Sequence, residues 1–185
     1  MKKAVFIDKD GTLIQNIPYN VNTTRISLLP TVGPSLRRLK DAGYLLILVT
    51  NQAGVAYGYF KEAMLIHVFN RINQLLSEEN VMIDGFYYCP HHPDARIGAY
   101  KKKCNCRKPG PGMLTDAAAN YGIDLKGSWM IGDILDDVEA GNKCGCRSIL
   151  VDNGNETEWL LNHWRQPTLI VSSFDEAASF ILKNK

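Results

Sequence analysis

Six short apolar runs, spaced along the chain by longer polar or helix-period stretches, constrain the fold more than any other feature. They are "KAVFI" (3–7), "YLLILVT" (44–50), "GFYY" (85–88), "SWMI" (128–131), "RSILV" (147–151) and "TLIV" (168–171). Runs that are short and continuously apolar suit strands covered on both faces. Between them, Leu65, Ile66, Phe69, Ile72, Leu75 and Leu76 recur at helical spacing, as do Val32, Leu36 and Leu39 ahead of Gly43, a C-terminal cap. Ser173 with Glu176 forms a capping box before Ala177, Phe180 and Ile181. Trp159 and Trp164 fall with Leu160 and Leu161 in a stretch read as packed helix, and Trp129 reads as strand core. Strands alternating with helices predict an α/β fold with a doubly wound, mainly parallel sheet, on one domain spanning 1–185.

Composition narrows the function. Lys and Arg number 21 against 19 Asp and Glu, a balance of +2 that gives no electrostatic basis for binding nucleic acid or a membrane surface. No apolar run approaches the roughly 20 residues of a membrane helix. Asp8, Lys9 and Asp10 interrupt the apolar start too early for a signal segment, so an uncleaved cytoplasmic chain is expected. Without an obvious exposed apolar stripe, a monomer is the default.

A doubly wound sheet gathers its ligands beyond the carboxyl ends of its strands. "FIDKDGT" places Asp8 and Asp10 at such an end, with Gly11 free to turn the backbone. A single Asp there would be a turn or cap residue; two carboxylates with Gly11 and Thr12 point to chemistry. Thr50 and Asn51 end the second run, Lys108 precedes the "SWMI" run, and Asp133 and Asp137 follow it. Clustered carboxylates repel unless a cation neutralises them. Asp8 and Asp133, with Asp137 and the Asp10 carbonyl as further candidates, offer the hard oxygens that Mg²⁺ prefers. Asp8 could attack phosphorus, Asp10 could act as acid and then base, and Thr50, Asn51 and Lys108 could bind phosphoryl oxygens.

Five cysteines are too few for a disulfide scaffold. Cys89 and His91, then Cys104 and Cys106, make two close pairs that suit tetrahedral Zn²⁺ with no open position, a structural site; His92 is the alternative imidazole. Such a zinc would tie down the insertion at about 89–111, which carries Arg107 and Lys108. Cys144 and Cys146 stand apart and read as small packing residues where a helix meets a strand.

"DKDGT", "VTNQ", "RKP" and "GDILDD" resemble the four motifs of the haloacid dehalogenase superfamily, across essentially the whole chain. The resemblance implies a Rossmann-like core, phosphatase activity with Mg²⁺, Asp8 as nucleophile, Asp10 as acid/base, Thr50 and Lys108 as phosphate-stabilising groups and Asp133 as metal ligand. "CPHH" with "CNCRKPGPGM" looks like the zinc-loop branch, which has no separate cap domain and whose members act on heptose 1,7-bisphosphate or histidinol phosphate. That branch implies substrate contacts at Asn16, Tyr19, Thr50, Asn51, Gln52, Ala53, Arg107 and Lys108. It implies a phosphorylated sugar, and a place in heptose synthesis for surface lipopolysaccharide. Tyr57 and Ile134 depart from its pattern, standing where Arg and Lys are usual; Lys101, Lys102 and Lys103 could compensate but read as a solvated face. Two alternatives stay open: histidinol phosphate or another small ester as substrate, and an inactive binding module on the same scaffold.

Overall fold

The computed structural model describes residues 1–184. Each apolar run forms a strand: β1 (Ala4–Ile7), β2 (Leu45–Asn51), β3 (Gly85–Cys89), β4 (Trp129–Gly132), β5 (Arg147–Val151) and β6 (Leu169–Val171). All pairings are parallel, in the order β3-β2-β1-β4-β5-β6. This is the doubly wound Rossmann order, whose switch point falls between β1 and β4.

The helices are α1 (Val32–Asp41), α2 (Ala53–Tyr57), α3 (Leu65–Ser77), α4 (Gly112–Tyr121), α5 (Leu135–Lys143) and α6 (Phe174–Lys183). Strand residues alternate between two apolar layers, as a pleated strand requires. Val5 and Ile7 pack with Leu36 of α1, Ile72 of α3 and Ile181 of α6. Ala4 and Phe6 pack with Leu114 of α4 and Ala140 of α5 on the opposite face. Trp129 is fully buried, as expected for strand core. Gly43 follows α1 at φ +90°, a left-handed conformation glycine adopts without a Cβ penalty.

Two expectations need correction. The capping box of α6 is shared between neighbours: Ser173 Oγ accepts the Glu176 N–H at 3.3 Å, but the Glu176 carboxylate takes the N–H and hydroxyl of Ser172 at 3.0 and 2.9 Å. The Trp159–Trp164 stretch is not helical, and Trp159, Leu160, Leu161 and Trp164 are all exposed. Local side-chain bonds compete with the helix there. Asn162 Oδ1 accepts the Trp164 and Arg165 N–H groups at 2.8 and 3.2 Å, and Glu156 Oε1 accepts that of Glu158 at 2.9 Å. Arg165 then binds Asp136 at 2.7 Å and Glu139 at 2.6 Å, which lays the segment across α5 as a strap. None of the helices is long and apolar enough to cross a membrane among the described residues.

Candidate active site

The sheet register assembles the site. Ile7 pairs with Leu48 on one side and Ile131 on the other, and the Asp8 N–H continues the ladder to the Ile131 carbonyl at 3.0 Å. Asp8 therefore emerges at the switch point, beside the chain leading to Asp133. Asp8, Asp133 and Asp137 are buried, with carboxylate oxygens all within 4.8 Å of one another. Lys108, itself only 2% exposed, sends its ammonium among them: it binds Asp8, stands 2.7 Å from Asp137 Oδ1 and donates to the Val49 carbonyl at 2.9 Å.

The electrostatics follow from that crowding. Burial raises the Asp8 carboxyl well above the usual carboxylate range; Lys108 opposes this, while Asp137, Asp133 and Asp10 reinforce it. Burial also pushes Asp133 up to about 6, helped by Asp137 and resisted by an Asn155 hydrogen bond and by Lys108. Burial alone would lower Lys108, but Asp137 and Asp8 outweigh it and hold the ammonium above its ordinary value. Three buried carboxylates face one ammonium, an excess of two negative charges that a divalent cation would offset. The donor set fits Mg²⁺, which prefers hard oxygens.

Several predicted residues work by holding others. Asn51 clasps the backbone of Lys108 from both sides: its Nδ2 donates to the Lys108 carbonyl at 3.0 Å and its Oδ1 accepts the Lys108 N–H at 3.0 Å. Gln52 Nε2 donates to Thr50 Oγ1 at 2.9 Å and reaches Asp10 Oδ2 at 3.4 Å. The Asp10 side chain lies outside the carboxylate cluster, paired at 2.6 Å with the ammonium of Lys9. Sequence reasoning gave no site role to Lys9, Asn155 and Glu156. Only one signal was present for the last two, an Asn-Gly-Asn-Glu run at the carboxyl edge after β5.

Two connected hollows meet at Asp10, Asn16 and Asn51. The inner one, about 220 Å³, is lined by Asp8, Asp10, Thr50, Lys108, Asp133 and Asn155 among others. The outer one, about 290 Å³, is lined by Asn16, Tyr19, Asn51, Gln52, Ala53 and Arg107, with Lys9 and Asp10 on its inner side. All the residues expected at the substrate side are thus gathered along one cleft. Tyr57, beside this mouth, hydrogen-bonds His92 at 3.0 Å and packs edge-on to Tyr19. Lys101, Lys102 and Lys103 are exposed and line neither hollow.

On the 89–111 insertion, Cys89, His91, Cys104 and Cys106 converge with their ligand atoms within 4.8 Å of one another. Their Sγ–Sγ separations of 3.1–3.5 Å are too long for disulfides and near the roughly 3.8 Å expected around one tetrahedral zinc. The donor set of three thiols and an imidazole fits Zn²⁺. His92 is engaged with Tyr57 and stands outside the cluster. The insertion is tied down further by Glu62, whose carboxylate accepts the Tyr88 and Tyr100 hydroxyls at 2.9 and 2.7 Å. Cys144 and Cys146 lie outside this cluster, with Sγ atoms 3.6 Å apart, packed against the α4–α5 layer.

With this geometry in view, the relatives are informative. A HAD-hydrolase-like family model matches residues 105–177. The D-glycero-β-D-manno-heptose-1,7-bisphosphate 7-phosphatase of Haemophilus ducreyi is 43% identical over 155 residues, covering 83% of this chain and 85% of its own. The chain belongs to this phosphatase family. The Escherichia coli member is 36% identical over 168 residues, 86% of this chain and 88% of its own. A crystal structure of the D,D-heptose 1,7-bisphosphate phosphatase of B. bronchiseptica, complexed with magnesium and phosphate, superposes with a TM-score of 0.81 at 29% identity, covering 99% of both chains. The fold is the haloacid-dehalogenase-like Rossmann fold, and the enzyme class is phosphoric monoester hydrolase.

Proposed function

We propose that this protein, as a single domain over 1–185 with its zinc loop at about 89–111, is an Mg²⁺-dependent phosphatase that removes the C7 phosphate of D-glycero-D-manno-heptose 1,7-bisphosphate. The observation that carries the proposal is the buried Asp8–Lys108–Asp137–Asp133 cluster opening directly into the cleft lined by Asn16, Tyr19, Gln52 and Arg107. The relatives' names supply the sugar and favour its β anomer.

Asp8, Asp133 and Asp137 would hold Mg²⁺, with the Asp10 carbonyl as a further ligand; when bound, it supplies positive charge that keeps the carboxylates ionised and neutralises phosphoryl oxygens. Asp8 attacks phosphorus to form an aspartyl-phosphate, while the leaving sugar oxygen takes a proton from Asp10. The Asp10 carboxylate then takes a proton from water, whose oxygen attacks phosphorus and releases phosphate and Asp8. Lys9 and Gln52 hold Asp10 where both transfers occur. Lys108 and Thr50 bind the phosphoryl oxygens as their charge redistributes. Arg107 and Tyr19 bind the rest of the sugar phosphate, and Cys89, His91, Cys104 and Cys106 would hold a Zn²⁺ that would order the loop presenting Arg107 and Lys108.

One observation favours a second reading. With Ile134 in the wall of the inner hollow and Tyr57 beside the mouth, the outer cleft has Arg107 and Lys9 as its cations, a modest charge for a second phosphate. Histidinol phosphate, with one phosphate and a cationic arm, suits such a rim. A kinetic panel with Mg²⁺ decides: kcat/KM for the heptose bisphosphate should exceed that for histidinol phosphate and fructose bisphosphate by at least tenfold. The reverse ranking would replace the sugar with the amine.

A further inference from the structure

The run Asn153-Gly154-Asn155-Glu156, directly after β5, reaches both ligand-bearing loops of the site. Asn153 Nδ2 donates to the Gly11 carbonyl at 2.6 Å, binding the loop after β1. Asn155 Nδ2 donates to Asp133 Oδ2 at 2.6 Å, binding the residue after β4. The Glu156 carboxylate accepts the Leu135 N–H at 2.6 Å, binding the first turn of α5, which carries Asp137. Gly11, at φ +88°, makes room for this meeting: a Cβ there would overlap both the Asp133 carboxylate and the Asn155 amide. Three loops from three different strands thus meet at the Asp133–Asn155 pair, which forms part of the wall of the inner hollow.

The two Asp133 oxygens are unequally committed. Oδ2 accepts the short Asn155 bond, whereas Oδ1 accepts the longer Thr12 hydroxyl bond at 3.3 Å. A carboxylate gripped at one oxygen cannot rotate freely about its Cβ–Cγ bond, and its other oxygen keeps a fixed direction. A small cation that demands near-octahedral geometry gains from one fixed oxygen and loses when a carboxylate swings or chelates through both. Outer partners of this kind change metal affinity by about 10–100-fold.

We propose that Asn155 is a positioning residue for Mg²⁺: it holds Asp133 by one oxygen so that the other is presented to the cation. This rests on the Mg²⁺ reading of the carboxylate cluster. The test is calorimetric titration of Mg²⁺ into the zinc-loaded protein, followed by Mg²⁺-dependent kinetics. Asn155→Ala should weaken Mg²⁺ binding at least tenfold, while kcat returns to within threefold of wild type at saturating Mg²⁺ and the substrate KM is unchanged. Asn162→Ala removes a turn in the same strap, away from Asp133, and should leave the Mg²⁺ dissociation constant within twofold. A wild-type dissociation constant in Asn155→Ala would overturn the proposal. So would equal weakening in Asn162→Ala, since the effect would then belong to the strap as a whole. Failure of the wild-type protein itself to bind Mg²⁺ would remove the cation reading and this inference together, and only that outcome touches both.

Discussion

The carboxylate cluster and the thiol cluster each bring together residues far apart in the chain, but they are held by opposite means. Asp8 and Asp133 leave the ends of adjacent parallel strands, and Lys108 is clasped through its backbone by Asn51 of β2. Their positions follow from sheet register, which crowds the carboxyl groups together and raises them. Cys104 and Cys106 sit on a long insertion whose regular structure among the described residues is a single short turn, Gly98–Tyr100. There, the four ligand atoms converge from the two ends of the loop, beside the His92–Lys101 backbone bridge and the Glu62 bonds, and a metal would add a fixed geometry of its own. By this contrast the first cluster would use a cation for charge and the second for geometry.

The largest expected effect tests the charge side. Asp8→Asn should abolish phosphate release, on the order of 10⁴-fold in kcat. It should also raise the melting temperature of the metal-free protein, because it removes one ionised group from a buried excess of carboxylates. Lost activity with a lower melting temperature would show that the cluster is not in electrostatic excess. Next comes the geometric side. Cys104→Ser should lose zinc by elemental analysis and lower kcat/KM by up to about 100-fold, with the Mg²⁺ dissociation constant little changed. Full activity in the zinc-free variant would dismiss the loop's role in placing Arg107 and Lys108.

Asn51→Ala links the two regions, since it frees the Lys108 backbone from the sheet. Losing both bonds, about 2 kcal/mol together, should lower kcat roughly 30-fold with zinc retained. A larger loss in KM than in kcat would instead assign Asn51 to substrate binding. The smallest effect is that of pH on the carboxylate cluster alone. Asp133 is held at about 6, above its ordinary value, so below that pH a proton competes with Mg²⁺ for it. Through Asp133 alone Mg²⁺ affinity should fall roughly tenfold between about pH 7 and pH 5, and Asp8, also raised, adds to the loss in the same direction. Affinity that rose on acidification would contradict the sign of the shift.

Much of the frame was legible beforehand, because apolar runs and helical periodicity are local. The six strands fall within one residue of the runs that announced them, and the α1, α3 and α6 patterns formed helices. The same locality misled at Trp159–Trp164, where the apolar residues stayed exposed while Asn162 and Glu156 bound nearby backbone N–H groups. In the site, residue types announced Asp8, Asp133, Lys108 and the four thiol and imidazole ligands. They did not announce that Asn51 would hold a backbone, that Lys9 would pair with Asp10, or that Asn155 would grip Asp133.

The sequence alone determined the chemistry within reach: carboxylates, an ammonium and soft ligands of fixed kind, each attached to the end of a recognisable element. Only the tertiary structure decided which of them touch. Partners such as Lys108 and Asp8, or Asn155 and Asp133, are brought together by strand order and register, and no spacing along the chain encodes that.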